Sequence, residues 1–375
     1  MLFGIKSKLV LKNIFSFIEK NKYFVIIKKS KKVQQKLSIS LDSYKEYFKQ
    51  IEIEIIPKKS DDLKDTKFIN ISDFINNKIY FNSDSETIKR NTFLENDNIS
   101  KIRVLIDIKN GDTLKNLFLS CKKIQEIKFI HCALNIITNL SFIFSGCDSL
   151  INVDISRLKL DNVEDTSYMF TNCYSLKSIK FPENATNIFI NMEYMFCGCS
   201  SLEMIDLSNF KTDKVINMRG LFSGCKLLKD IRISNLKTDS VINMEFMFHK
   251  CEHIKELDLS NFNTQNVQKM NAMFKDCVFL EKLDLSNFNT ANVIEMKKMF
   301  YQCYSLIELN ISNWDTHNLI DMEKMFYKCS CLINIDISNL DLCKVSNMDE
   351  AFKLCLKELH EKVKSQNGMI KSTAY

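Results

Sequence analysis

NMEFMFHKCEHIKELDLSNFNTQNVQK, residues 243–269, is one turn of a repeat. Its Cys251 belongs to the series Cys121, Cys147, Cys173, Cys199, Cys225, Cys251, Cys277, Cys303, Cys329 and Cys355, spaced 26 residues apart without a slip. Each of these cysteines has Phe three residues before it. A segment this short cannot bury an apolar face alone, so a period held through nine intervals implies one unit stacked on copies of itself. The class is a repeat solenoid.

Within the unit, Asn243 precedes Met244, Glu245, Phe246, Met247 and Phe248, and Asp165, Asn191, Asn217, Asp321 and Asn347 hold the same place. All are good N-caps, which predicts a short helix in each coil. Ile242 with Met247 has the spacing of a hydrophobic staple, repeated by Ile190 with Met195, Ile294 with Met299 and Ile320 with Met325. Gly146, Asn172, Gly198, Gly224 and Asp276, each just before a cysteine, tolerate left-handed backbone and are expected to stop the helix. After Cys251 the apolar spacing shortens from three (Ile254, Leu257) to two (Leu257, Leu259), which predicts a very short strand over 256–259. The expected architecture is an α/β repeat solenoid of about nine coils, each a short helix, a turn and a very short parallel strand.

Ser260, Asn261, Phe262 and Thr264 recur as Ser208, Asn209, Phe210 and Thr212, and as Ser286, Asn287, Phe288 and Thr290. Columns of Asn and Thr at a solenoid corner are expected to bond the backbone of the next coil, not to form catalytic sets. The cysteine column reads as small buried hydrophobes at an inward bend, held as reduced thiols.

The string Val267, Met270, Met273, Phe274, Cys277, Leu280, Leu283, Asp284, Leu285, Ser286, Asn287, Phe288, Thr290 resembles the BspA-type leucine-rich repeat over about residues 114–352. The resemblance implies a repeat-built binding surface and interaction in place of chemistry. It also implies a cell-surface adhesin as one alternative role, although the first thirty residues show no uninterrupted apolar core of a secretory signal. Lys6, Lys8, Lys12, Glu19 and Lys20 break the apolar runs there, so the cytoplasm is the expected location and no membrane span is expected.

Residues 1–100 carry no repeat and are read as a mostly helical N-terminal region with a linker near 57–66, where PKKSDD follows an apolar stretch. The segment around Ile14, Phe15, Ser16, Phe17 and Ile18 resembles the core of an F-box, which implies a substrate adaptor of a ubiquitin ligase as an alternative to a plain cap. Residues 101–355 are the expected solenoid. Residues 356–375, with Leu356, Leu359 and Val363 at helical spacing, read as a capping helix and a frayed tail.

The 375 residues hold 45% hydrophobic and 26% charged side chains, enough for a large core and too apolar for disorder. A net charge of +6, from 52 basic against 46 acidic residues, is too balanced to indicate nucleic acid. No P-loop, dinucleotide fingerprint, nucleophile elbow or zinc-protease motif occurs, so no enzyme and no cofactor are expected. His249, Cys251 and His253 form the one tight His and Cys cluster, and their alternating spacing turns them apart, so no metal is expected either.

What remains is surface, and the expected function is a non-catalytic scaffold that binds a protein partner of unknown identity. Asp206, Asp258, Asp284, Asn310 and Asp336 fall on the outward position of the predicted strands, with Glu256 and Glu308 two residues ahead on the same face. This column is the candidate partner-binding face, an acidic stripe that Lys180 and Arg232 interrupt.

Overall fold

The computed structural model describes residue 35 and residues 50–59, 64–95, 97–107, 113–132, 135–183 and 189–375. The F-box-like segment, and most of the region expected to be helical, lie outside the described residues.

The fold begins as a sheet. Gln50–Pro57 (β1) reads QIEIEIIP and buries Ile51, Ile53 and Ile55, the alternation of a strand covered on one face. Lys78–Phe81 (β2) and Ile102–Asp107 (β3) join it, and Ile124–Cys132 (β4) lies on its other side, giving the order β2-β3-β1-β4 with antiparallel pairing throughout. Within residues 50–100 the described part therefore carries the strands β1 and β2, where a mostly helical region was expected over residues 1–100. The isoleucine alternation in β1 is a period-two signal that outweighs the helical runs preceding it.

From β4 onward the sheet turns parallel. Asn152–Asp154 (β5) and Ser178–Lys180 (β6) continue it, each paired with the strand 26 residues earlier. Met204–Asp206 (β7) pairs with Asp230–Arg232 (β8), and Lys282–Asp284 (β9) with Glu308–Asn310 (β10). The strand expected over 256–259 is not regular. Asp230 and Glu256 hold the same place in successive coils, and like charges directly opposite work against pairing.

The expected helix in each coil is absent from the described repeats, and the reason is where the amides go. Met244, Phe246, Phe248 and Lys250 donate to the carbonyls of Lys269, Asn271, Met273 and Lys275 in the next coil, at 2.8–3.0 Å. The amides between them close tight turns: Met247 donates to Met244, His249 to Phe246 and Cys251 to Phe248. No amide in this run is left for a bond four residues back. Phe246 and Lys250 also adopt left-handed φ of 58° and 57°, which a helix cannot contain. Eight residues are too few to nucleate a helix cheaply when a neighbouring coil already offers acceptors.

The capping residues still act, as turns instead of helix starts. Asn243 Oδ1 accepts the Glu245 amide at 2.9 Å, and Asp165, Asn191, Asn217, Asp321 and Asn347 do the same two residues on. The stapling expectation fails because there is no helix to staple. Met195, Met247, Met299 and Met325 are buried, while Ile190, Ile242, Ile294 and Ile320 stand 37–45% exposed. The expected stop residues Gly146, Asn172, Gly198, Gly224 and Asp276 do take left-handed φ, from 58° to 76°.

Side-chain ladders fill the interior. Phe118 through Phe352 stack at 26-residue intervals with ring centroids 5.1–5.8 Å apart. Thr212, Thr264, Thr290 and Thr316 donate to backbone carbonyls of the next coil at 2.8–2.9 Å. The asparagine column runs the other way: Asn261 and Asn287 donate to carbonyls of the preceding coil.

The cysteines are bonded as well as buried. Each thiol from Cys147 to Cys355 donates to the carbonyl of the Phe 29 residues earlier, at 3.0–3.2 Å. That carbonyl already accepts the amide three residues on, so the thiol takes its second lone pair.

Both ends are closed. Asn70 donates through its amide nitrogen to the carbonyls of Asn116 and Leu119 at 2.9 Å, covering acceptors at the first coil. At the other end, helix Lys357–Gln366 (α1) buries Leu359 and Val363, and Asn367 after it donates to Ile337 and Leu340 as the repeat asparagines do. The final residues are not frayed. Glu350 and Phe352 donate to Thr373 and Ala374 at 2.7 Å, and Ala374 is fully buried. Amides that point along the axis leave the last coil with donors in need of acceptors, and the tail supplies them.

Burial pushes the ladder thiols up, Cys121 and Cys355 to about 12 and those between them higher. Because the folded values are raised, this contribution to stability is complete below the ordinary thiol value of 9.0 and is lost as pH climbs toward 12. Urea unfolding should show stability unchanged up to about pH 9 and falling steeply above it, by at most about 1.4 kcal/mol per thiol per pH unit. A thiol reagent at pH 8 should label the exposed Cys331 and Cys343 and spare the buried ladder thiols from Cys147 to Cys329.

Candidate functional site

The acidic column lies where the strand pattern put it, with Asp206, Asp258, Asp284, Asp336, Glu256 and Glu308 exposed and Asn310 half-buried. Its members have local work. Each Asp Oδ1, and Asn310 likewise, accepts the amide two residues on, at 2.9–3.2 Å, closing the turn that leaves the strand. The Ser208 hydroxyl adds a 2.6 Å bond to Asp206, and hydroxyl and amide together hold the Asp206 and Asp258 carboxyls below the usual range. Charge on this face is also balanced between coils. Arg232 lies 3.6 Å from Asp206, Lys229 2.6 Å from Glu203 and Lys282 3.6 Å from Glu308.

The His and Cys cluster does not converge. His249 contacts Ser223 through Nδ1 at 3.1 Å, His253 contacts the Lys226 carbonyl at 2.9 Å, and the Cys251 thiol bonds Phe222. Among the described residues no three His, Cys, Asp or Glu side chains stand close enough to hold a metal ion.

The more distinctive geometry is on the face made by the turns. One column there is left-handed in every coil: Asn116, Phe142, Tyr168, Tyr194, Gly220, Phe246, Ala272, Lys298, Lys324 and Glu350 have φ of 51–63°. A non-glycine residue pays about 1–2 kcal/mol for such a backbone, so rings here are bulk added at a costly position. Phe142 stacks on Tyr168 at 4.6 Å, and Tyr168 on Tyr194 at 5.3 Å.

The ring series is interrupted at Gly220 and ends at Phe246, after which the column holds Ala272, Lys298, Lys324 and Glu350. At Gly220 a Cβ would collide with the Tyr194 ring, which already fills that space, and beside it stands Arg219. Its guanidinium sits 5.7 Å from the Tyr194 ring and 5.6 Å from Phe246, a cation between two rings. At Ala272 the rung is only a methyl. Phe246 stands one coil before it and Lys298 one coil after, so the two are about 9–10 Å apart at the usual spacing of paired chains.

The result is a groove of about 630 Å³ floored by Ala272. His249, Lys275 and Tyr301 form one side, and Glu245, Asn271 and Lys297 the other. Asn271 is fully engaged, donating to Glu245 at 2.9 Å and Glu295 at 2.8 Å while accepting the Lys297 amide at 2.8 Å. Lys275 lies 3.1 Å from Asp276 and 5.3 Å from the centre of the Tyr301 ring. Burial pushes the Asp276 carboxyl up, but hydrogen bonds and charge from His249 and Lys275 outweigh it and leave it below the usual range. Arg219 Nε faces Glu245 at 3.7 Å and His249 Nε2 faces Asp276 at 3.5 Å.

Sequence reasoning singled out His249 for the wrong reason and passed over Arg219, Ala272, Lys275 and Tyr301. A signal was present: the coil of Cys277 keeps the interior residues Met270, Met273 and Phe274 but places Gln268 where its neighbours have Ile242 and Ile294, and Ala272 where Phe246 stood. A comparison of surface columns, coil by coil, would have found it.

The stretches 37–166 and 109–213 match the BspA type Leucine rich repeat region (6 copies). The repeats over these stretches are similar to BspA-type leucine-rich repeats. The stretches 190–306 and 258–366 match a second family, described as Mycoplasma protein of unknown function, DUF285, and the same Phe and Cys columns of the BspA-type array run unbroken through both. No curated protein matches the chain. Among solved structures the chain is similar to a leucine rich cell surface protein of Faecalibacterium prausnitzii, at 16% identity over 66% of this chain and 75% of that one, TM-score 0.34. It is also similar to a leucine-rich repeat protein of Eubacterium ventriosum, at 15% identity over 59% and 81%, TM-score 0.22. A leucine-rich repeat protein of Leptospira interrogans matches at 11% identity over 63% and 75%, TM-score 0.20.

If the acidic column serves the turns, Asp258→Ala and Asp284→Ala should each lower stability by about 0.5–1 kcal/mol in urea, while Asp→Asn at the same sites should be near neutral. Asn310 already fills that place in the column with its own turn bond intact.

Proposed function

We propose that the chain is a non-catalytic scaffold that binds a protein partner on the turn face of its BspA-type array, at the groove over Ala272. The observation that carries this reading is the notch itself: interior columns continue through the coil of Cys277 while its surface columns change together. The acidic column is the weaker candidate, because its carboxylates already close turns and face cations of adjacent coils.

Five permanent cations line the groove, Arg219, Lys275, Lys297, Lys298 and Lys324, against one carboxylate, Glu245. Each lies within 4.0 Å of a carboxylate, Arg219 of Glu245, Lys275 of Asp276, Lys297 of Asp321, Lys298 of Glu323 and Lys324 of Glu350, so the groove offers a partner a pattern of paired charges and no excess of one sign. The exposed Ile216, Ile242 and Ile294 stand 42–46% exposed on the adjoining column and offer apolar contact beside it.

Placement in the cytoplasm is our reading of the thiols: Cys331 and Cys343 are exposed and free, a liability in an oxidising setting. No described helix is long and apolar enough to cross a membrane. A role at the cell surface is the alternative, and protease shaving of intact cells separates the two, since surviving intact chain excludes the surface.

Affinity capture from the native host, comparing the full chain with a Lys275→Glu/Lys324→Glu variant and an Asp258→Lys/Asp284→Lys variant, tests the face. Loss of the same protein from the first variant alone is the expected result. Loss from the second alone would move the site to the strand face.

A further inference from the structure

Resting on that reading of the turn face, we infer that the groove is switched by one proton: uptake at His249 draws the Asp276 carboxylate from Lys275 and leaves Lys275 to meet a carboxylate of the protein partner. The starting point is how the charges of the groove are shared. Arg219 has Glu245, Lys297 has Asp321, Lys298 has Glu323 and Lys324 has Glu350, each within 4.0 Å. Glu323 and Glu350 also serve a second base, but in both cases another permanent cation. Asp276 differs, because it is shared between a lysine and a histidine. Its Oδ2 lies 3.1 Å from Lys275 Nζ and 3.5 Å from His249 Nε2, while its Oδ1 is buried without a hydrogen-bond partner.

His249 is the one residue lining the groove of the type whose charge changes between about pH 8 and pH 5. Groups from three coils face it. From the coil before, the Ser223 hydroxyl lies 3.1 Å from Nδ1, with the Cys197 thiol hydrogen-bonded to Ser223 behind it. In its own coil the Phe246 ring meets it edge-on at 5.8 Å. From the coil after come Asp276 and, through that carboxylate, Lys275.

A neutral imidazole has one proton for these two polar neighbours, and donates either to Ser223 from Nδ1 or to Asp276 from Nε2. The imidazolium donates to both and places a positive charge beside Lys275. One carboxylate then faces two cations, and their repulsion acts on the side chain that is free to move. That side chain is Lys275, which is 25% exposed and lies 5.3 Å from the Tyr301 ring on the groove wall, whereas His249 is held at both nitrogens. The backbone stays in place: Gly224 donates to the His249 carbonyl at 2.7 Å, and Lys250 and Asp276 donate to Lys275 and Tyr301 at 2.8 Å. The switch is therefore confined to side chains. Asp276 is also the one carboxylate in the column before the cysteines, where Gly224, Lys250, Gln302 and Lys328 stand in nearby coils, so the shared pair occurs once along the array, at the groove.

The test follows the His249 imidazole, the Lys275 side chain and the Tyr301 ring by NMR in the isotope-labelled full chain, from about pH 8 to pH 5. The Lys275 and Tyr301 signals should move with the midpoint of the His249 ring. In His249→Gln they should stay flat, and in Asp276→Asn they should lose the movement although His249 still titrates. Flat Lys275 and Tyr301 signals in the unaltered chain, or movement that survives in His249→Gln, overturns the switch. Capture of the partner at two pH values separates the switch from the turn-face reading: it should rise roughly threefold from about pH 8 to about pH 6, and lose that dependence in His249→Gln. If Lys275→Glu/Lys324→Glu removes the partner but capture is equal at both pH values, the switch fails and the turn face stands. If that variant leaves capture intact, the turn-face reading fails and takes the partner half of the switch with it.

Discussion

Every coil hands its backbone amides to the next one. Along the run from Asn243 to Cys251, alternate N–H groups point toward the C-terminal neighbour and the remainder close tight turns, so no helix forms. The constraint behind this is that a buried amide must find an acceptor, and a coil at fixed spacing provides one at every second residue. From it follow the two left-handed columns, since the backbone must reverse between successive axial bonds, and the closed ends. The tail from Ser372 to Ala374 exists as structure because Glu350 and Phe352 would otherwise carry unanswered donors.

The cysteine column acquires its meaning from the same accounting. A Phe carbonyl in each coil has one lone pair used by the turn and one left over, and the thiol of the next coil is small enough to fit there and able to donate. Alanine would fit without donating, and a larger polar residue would not fit the packed bend. The ladder is thus bonded structure, and oxidation of these thiols would remove the donors along with the fit. The weak thiol bond is worth little singly; its value is that it repeats along the array.

The 26-residue period was fully legible, because a ruler of Cys and Phe needs no knowledge of conformation. Short strands do form at the equivalent places Met204–Asp206 and Lys282–Asp284, but not over 256–259 where the Leu257 and Leu259 spacing put one, and there the period sets Glu256 beside Asp230. The helices were misread because Met244, Met247 and Phe248 follow helical spacing while an Asx turn mimics a helix cap; both signals are genuine, and the inter-coil bonds override them. The exposed ridge of Ile190, Ile242, Ile294 and Ile320 was misassigned for the same reason. The groove escaped the sequence because it is floored by the small Ala272 between Phe246 and Lys298, and a small surface residue is visible only against the same column in neighbouring coils. The acidic column was placed on the right face, but its employment by the Ser208, Ser260 and Ser286 turns could not be read from alternation alone.

The account depends on amides of one coil bonding carbonyls 25 residues later. Through-hydrogen-bond scalar couplings on the perdeuterated, isotope-labelled protein measure that connectivity directly. The account predicts couplings from the Phe246 and Phe248 nitrogens to the Asn271 and Met273 carbonyl carbons, at the observed bond lengths of 3.0 and 2.9 Å. Couplings from these nitrogens to carbonyls four residues earlier would show helices in the repeats and contradict it.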